Sequence, residues 1–177
     1  MNVIIFYLER IITAMGQCLN KMIFGGQTNP YMLDLGYFQS ITYADTQTFI
    51  PPIELCKVIK VYDGDTITVA SKLYTPDSPV YRFSVRLAGI DTPEIHGSTK
   101  EERDAAIVSR DVLSNLIMGK IVFLKNVQYE KYGRLLADVY LGELYLNQYL
   151  VDNKYAVPYD GGKKQTYVKS VQYDMDL

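Results

Sequence analysis

Apolar and polar positions change period along the chain, and each change marks a different kind of structure. At about 100° per residue, Ile4, Ile5, Leu8, Ile11, Ile12, Met15, Leu19, Met22 and Ile23 share one face of a helical wheel. Glu9, Arg10, Thr13, Gln17, Asn20 and Lys21 stand opposite, and Gly25-Gly26 follows as a stop. Residues 1–26 therefore read as an amphipathic helix. Its charges keep any apolar run short of the ~18 residues that a bilayer demands, so no transmembrane span is expected. Its own domain, a partner protein and a membrane interface compete to cover the apolar face. With only Arg10 and Lys21 as cations on the polar side, protein contact is favoured. Residues 27–52, with Asn29-Pro30, a closing Pro51-Pro52 and scattered Tyr31, Phe38, Tyr43 and Phe49, read as an irregular connecting arm.

From Leu55 the period becomes that of strands. Cys56 to Val61 leads into the turn Asp63-Gly64-Asp65, and Thr66 to Val69 resumes the β-prone run as the second half of a hairpin. After a turn at Thr75 to Pro79, Tyr81, Phe83, Val85 and Leu87 alternate with Arg82, Ser84 and Arg86, which sets both arginines on the face opposite the apolar set. Thr99 and Glu102 form a capping-box pattern ahead of Ala106, Leu113, Leu116 and Ile117, a helix of about five turns that Gly119 ends. Ile121 to Leu124 and Leu135 to Tyr140 read as two further strands, and Leu146 to Lys154 as a short helix. The order βββαββα, with five short strands, predicts an α+β, mainly β fold. Residues 53–177 are expected to form a five-stranded OB-fold barrel with two or three helices, preceded by the N-terminal amphipathic helix.

Composition narrows the chemistry. A chain of 177 residues accommodates one domain plus an extension. Its single histidine, His96, excludes any site with two His ligands or a histidine acid–base pair; it reads as a solvated loop residue. A net charge of -2 and a pI near 5.4 argue against adhesion to nucleic acid through bulk charge, so any phosphate-binding site has to be local. Cys18 and Cys56 match no zinc or redox spacing and read as two reduced, partly buried thiols. The N-terminus lacks a basic leader and an A-x-A cleavage site, and Asn2 stands where myristoylation requires glycine. An intracellular or peripherally membrane-associated location is favoured over secretion.

Polar residues with chemical potential gather in three places. Asp65 and Asp91 are hard oxygen donors, and the main-chain carbonyl of Thr92 adds a third. Such a set suits Ca²⁺ better than zinc, with Mg²⁺ as the other hard cation that takes oxygen ligands. Pro93 biases Thr92 toward an extended backbone, which aims that carbonyl. Glu94 follows as a carboxylate able to take a proton from an attacking water, and Arg86 and Arg134 can clamp a phosphoryl group. Phosphodiester hydrolysis uses these parts. Taken one at a time, each has an ordinary role: Asp-Gly turns are common, Asp-Thr-Pro can cap a loop, and an Arg–Asp pair on a surface is worth about 0–1 kcal/mol.

The joint pattern is more specific. Val61 to Thr66, Val85 to Glu94 and Lys131 to Arg134, in this order with a capped helix before the last, resemble the staphylococcal-nuclease-like (thermonuclease) family over roughly Leu55 to Tyr159. The resemblance implies a Ca²⁺-dependent endonuclease acting on DNA, RNA or both. Asp65 and Asp91 match the carboxylates that hold one metal ion, with Thr92 as a further ligand and Asp63 just outside the ligand set. Glu94 matches the general base, Arg86 and Arg134 the phosphate-binding arginines, and Lys131 and Tyr132 the contacts to a terminal phosphate. Water attacks with the 5′-oxygen leaving, which yields 3′-phosphorylated products.

There are departures. From Pro51 onward the charges nearly balance, unlike the basic well-known members, so weak or salt-sensitive substrate binding is expected. Pro158 interrupts the pattern that carries the family's base-stacking tyrosines, leaving Tyr155 and Tyr159 open between stacking and packing. Only Gln165 to Leu177 remains for the last helix. The competing reading is a non-catalytic OB-fold module that binds nucleic acid or protein. The presence together of Asp65, Asp91, Glu94, Arg86 and Arg134 favours the enzyme.

Overall fold

The computed structural model describes residues 11, 14–15, 35–130 and 133–162. It divides the chain into two compact units, 1–49 and 50–177. In the first, residues 11, 14 and 15 are helical, while the rest of the amphipathic segment lies outside the described residues. Within the segment read as irregular, α1 (Leu35–Ser40) is helical and Tyr43–Asp45 forms a 3-10 turn. The Asp45 carboxylate holds that turn by accepting from the Thr42 N–H at 2.9 Å and the Thr42 hydroxyl at 2.7 Å.

The second unit contains β1 (Leu55–Val61), β2 (Thr66–Lys72), β3 (Val80–Leu87), β4 (Ile90–Asp91), α2 (Lys100–Ile117), β5 (Ile121–Tyr129), β6 (Leu135–Leu141), β7 (Leu144–Tyr145), α3 (Leu146–Asp152) and β8 (Val157–Pro158). Strands β1, β2 and β3 form an antiparallel meander, β5 adds to the free side of β1, and β6 pairs with β5. The sheet then closes on itself, because β6 also lies parallel to β3 with Val85 opposite Leu135 and Leu87 opposite Ala137. The result is a closed five-stranded barrel, mainly β, with two α-helices, α2 and α3, among the described residues of this unit.

Alternation along each strand sends one apolar set inward: Ile67 and Val69, Val85 and Leu87, Val122 and Leu124, Ala137 and Val139 are all buried. Leu113 and Ile117 of α2 and Leu146 and Leu150 of α3 complete the same core. Cys56 is a free, buried thiol of this core, and burial raises its pKa; Cys18 lies outside the described residues.

The start of α2 differs in detail from the capping box read in the sequence. The Thr99 hydroxyl accepts from the Glu102 N–H at 3.1 Å, but the Glu102 carboxylate returns to the Ser98 N–H at 3.0 Å, one residue further back than the box requires. At the other end the Gly119 N–H donates to the Val58 carbonyl and the Val58 N–H to the Lys120 carbonyl, so the helix exit is stitched to β1. Two connections were not visible in the sequence pattern. Ile90 and Asp91 pair antiparallel with Pro158 and Val157, and the buried Asn147 bridges the start of α3 to β6 and to the Ala88 carbonyl. No helix among the described residues is long and apolar enough to cross a membrane.

Candidate active site

The site is assembled where the β1–β2 turn, the end of β3, β4 and the start of β6 meet. In the turn, the Asp63 carboxylate accepts the Asp65 N–H at 3.2 Å and the Tyr62 N–H donates to the Thr66 carbonyl at 2.9 Å, which turns Asp65 inward. Gly64 is required by proximity. A Cβ there would stand 2.7 Å from Cβ of Ser109 and 2.9 Å from Cγ2 of Thr92, because the turn lies directly on α2 and on the loop after β4. Gly64→Ala is therefore expected to force these elements apart at a cost of about 1–3 kcal/mol and to slow any reaction at the site. Urea denaturation alongside an activity assay checks both effects.

Arg86 sits opposite Thr66 in the β2–β3 register, and the Leu87 N–H donates to the Asp65 carbonyl at 2.8 Å. These bonds place the Arg86 guanidinium between two carboxylates: Nη2 lies 2.9 Å from Oδ2 of Asp65 and 2.7 Å from Oδ1 of Asp91, with the Ile90 carbonyl at 3.3 Å. Asp65, Arg86, Asp91 and Thr92 are each less than one-tenth exposed. The Arg86–Asp91 pair is thus a buried, two-sided arrangement and not the surface ion pair that five-residue spacing alone would also allow. From Asp65 the network continues. Its Oδ1 accepts from the Thr66 hydroxyl at 2.8 Å, and Thr66 Oγ1 accepts from Nη1 of Arg134 at 3.5 Å. Nε of Arg134 donates to Glu130 at 2.8 Å.

Burial dominates the electrostatics. It drives the Asp65 carboxyl up, the charge of Asp63 adds to this, and Arg86 and the Thr66 hydroxyl pull the other way, leaving Asp65 at about 7. For Arg86 burial works against the charged form, but Asp65 and then Asp91 more than offset it, and its pKa rises. The guanidinium stays charged while Asp65 beside it is under-compensated. The ring of Tyr159 lies against this cation, its centroid 5.6 Å from Cζ of Arg86, and the Tyr159 N–H donates to the Gly89 carbonyl at 2.9 Å. Tyr155 instead packs half-buried on the core.

Asp65, Arg86 and Asp91 are brought into contact, and Arg134 joins them through Thr66. Thr92 is buried beside Gly64, and Asp63 braces the turn. Glu94 is exposed in the following loop, where its carbonyl accepts the Gly97 N–H at 2.8 Å; His96 is also exposed there. Lys131 and Tyr132 lie outside the described residues. The sequence pattern includes Thr66 without giving it a role, and Glu130 was missed. Thr66 shares the outward face with Arg86 by strand alternation, and Glu130 stands four residues before Arg134, but neither signal says that the side chains meet. Among the described residues no three His, Cys, Asp or Glu side chains converge. The acidic set is two buried aspartates, which fit a hard cation whose coordination is completed by main-chain oxygen and water, and do not fit a closed zinc site.

A closed five-stranded barrel with two buried aspartates bracketing an arginine defines an OB-fold protein. The chain belongs to the staphylococcal nuclease homologue family, which matches residues 84–174, a span that includes Arg86, Asp91, Thr92, Glu94 and Arg134 and begins after Asp65. It is 32% identical over 96 residues to an uncharacterized endonuclease of Escherichia coli, covering 54% of each chain. It is 32% identical over 124 residues to a thermonuclease of Staphylococcus hyicus, covering 68% of this chain and 65% of that one. An uncharacterized endonuclease of Haemophilus influenzae is 33% identical over 104 residues, 59% of this chain and 52% of its own. The chain thus spans about half the length of the curated endonucleases it matches.

Proposed function

We propose that the chain is a metal-dependent endonuclease that hydrolyses phosphodiester bonds of DNA, RNA or both. The observation that carries this reading is the Arg86 guanidinium held between two buried aspartates and linked through Thr66 to a second arginine. The names of its relatives support the same class of activity.

Asp65 and Asp91, with the main-chain oxygen of Thr92, would hold one Ca²⁺, or Mg²⁺ in its place. The under-compensated burial of Asp65 is the feature that a divalent cation relieves. When bound, the ion supplies polarisation of a phosphoryl oxygen. The rest is done by the chain. Every recorded polar contact of Arg86 runs through Nη2, so among the described residues Nε and Nη1 are left to donate to the phosphoryl group as charge builds on it. Arg134, oriented by Glu130 and Thr66, approaches the same group from the turn just before β6. Glu94 takes the proton of the attacking water, the 5′-oxygen leaves, and a 3′-phosphate results. Lys131 and Tyr132 contact a terminal phosphate of the substrate.

Purified protein is expected to cut single-stranded DNA and RNA in Ca²⁺ or Mg²⁺ and to stop in EDTA. Glu94→Gln is expected to lower kcat by on the order of 10²-fold or more with little change in KM, because only the proton transfer is lost. Folded protein that cuts nothing in any metal would leave a binding module in place of an enzyme.

A further inference from the structure

The connection from β4 to α2 carries Glu94, and the structure fixes that connection at both ends. At its start Asp91 pairs with Val157 across β4 and β8, and Thr92 is buried against Gly64. At its end the first turn of α2 reaches back. The Glu102 carboxylate accepts the Ser98 N–H at 3.0 Å, and Nη1 of Arg103 donates to the Gly97 carbonyl at 2.8 Å. Pro93 to His96 lies between these anchors, and the Gly97 N–H closes that stretch into a turn by donating to the Glu94 carbonyl at 2.8 Å.

The one-residue departure from a capping box gives these contacts a meaning. In the box the glutamate serves the helix, because its carboxylate accepts from the N-cap N–H. Here the Glu102 carboxylate passes over Thr99 and holds the loop, while the cap bond is made by the main-chain N–H of the same residue to the Thr99 hydroxyl. The helix start therefore keeps its cap without the carboxylate. Gly97 is matched to this use, since a Cβ there would collide with Cγ, Cδ and Oε2 of Glu102. Glu94 itself is exposed and belongs to neither strand nor helix, so the turn and its anchors set where its backbone stands. A general base works only within hydrogen-bond reach of the water it deprotonates, and a displacement of about 1 Å costs up to about 10²-fold.

Building on the nuclease reading, we infer that Glu102 and Arg103 form a clamp on Gly97-Ser98 that positions Glu94 for proton transfer. Both are positioning residues. They act through the Glu94 turn and take no part in binding the substrate or in bond cleavage.

The test is cleavage of a single-stranded DNA by the full-length protein in Ca²⁺, joined to amide hydrogen exchange. For Glu102→Ala and Gly97→Ala the expected result is a kcat lower by on the order of tenfold at unchanged KM, while Glu102→Gln, whose amide oxygen can still accept from Ser98, stays near the parent. Arg103→Ala should show the same split between kcat and KM. In a Glu94→Gln background Glu102→Ala should cost nothing more, because the clamp then has no base to position. Lys100→Ala removes an exposed ion pair with Asp104 from the same turn of α2 and should match the parent. Exchange of the Gly97 N–H, which bonds to the Glu94 carbonyl, should quicken in Glu102→Ala. Unchanged exchange there overturns the clamp whether or not the parent cuts. In a parent that cuts, an unchanged kcat, an effect confined to KM, or a kcat loss of equal size in the Glu94→Gln background also overturns it and leaves the nuclease reading standing. A folded parent that cuts nothing in any metal overturns the nuclease reading and the positioning role with it, even where exchange at Gly97 has quickened.

Discussion

Arg86→Ala is expected to lower the cleavage rate by on the order of 10³-fold and to destabilise the fold as well. The two effects share one cause. In the proposed reaction Arg86 would offer Nε and Nη1 to a phosphoryl group while Nη2 binds Asp65 and Asp91 at 2.9 and 2.7 Å, so its loss would remove both a donor to the transition state and the counter-charge of two buried acids. A buried ion pair stripped of one partner costs about 3–5 kcal/mol, because the remaining charge keeps its desolvation penalty without compensation. Arg86→Lys retains the charge but not the planar fork, and a single ammonium cannot bridge both aspartates while also reaching a substrate; a loss on the order of 10²-fold is expected. Ca²⁺ should return part of the stability lost in Arg86→Ala, since a divalent ion satisfies the same carboxylates. Urea denaturation with and without Ca²⁺ measures that recovery, and single-turnover cleavage at a urea-free temperature where the variant is folded measures the rate. Near-parental rates in Arg86→Ala would reduce this residue to a structural counter-ion and move the phosphate contact to Arg134.

Asn147→Ala is expected to be the most destabilising single change outside the site, at about 3–5 kcal/mol. Its side-chain oxygen accepts the Val139 N–H at 3.0 Å, and its amide donates to the carbonyls of Ala88 at 2.8 Å and Ala137 at 3.3 Å. Asn147 is 1% exposed, so removing the amide leaves main-chain groups with no water to turn to, each at about 1–3 kcal/mol, and opens a small cavity. Asn147→Asp separates the contributions. The carboxylate can still accept from Val139 but faces two carbonyls that it cannot donate to, and a loss at least as large is expected. The midpoint of urea unfolding, at unchanged slope, reads both variants. Activity should fall with stability, because Ala88 begins the turn that carries the chain to Asp91.

Much of the barrel was written locally. The hairpin follows from β-prone runs flanking Asp63-Gly64-Asp65, and the long helix from Thr99, Glu102 and the apolar spacing that Gly119 ends. Alternation along Tyr81 to Leu87 was enough to separate the two arginines from the core side. Each of these signals is settled within a few residues by turn geometry, capping and the pleat. The pairing of Ile90-Asp91 with Val157-Pro158 carries no such signal, since two residues are too few for a period and the prolines around them argue against a strand. The capping detail at Ser98 also escaped, because the reach of one glutamate side chain decides it.

The site divides along the same line. Residue types and their order along the chain, Asp65, Arg86, Asp91, Glu94 and Arg134, were enough to identify a set of hard acids and guanidiniums suited to phosphate chemistry. Nothing local says that Thr66 joins Asp65 to an arginine 68 residues further on, or that Glu130 aims that arginine. The parallel closure of β6 on β3 makes the first contact and the β5–β6 turn the second, and a register across 68 residues depends on the whole core being packed at once. Burial was likewise decided only in three dimensions. An Arg–Asp pair has one worth at a wet surface and another beneath a turn, a helix and a closed barrel, because the cost of removing charge from water depends on everything around it and not on its neighbours in sequence.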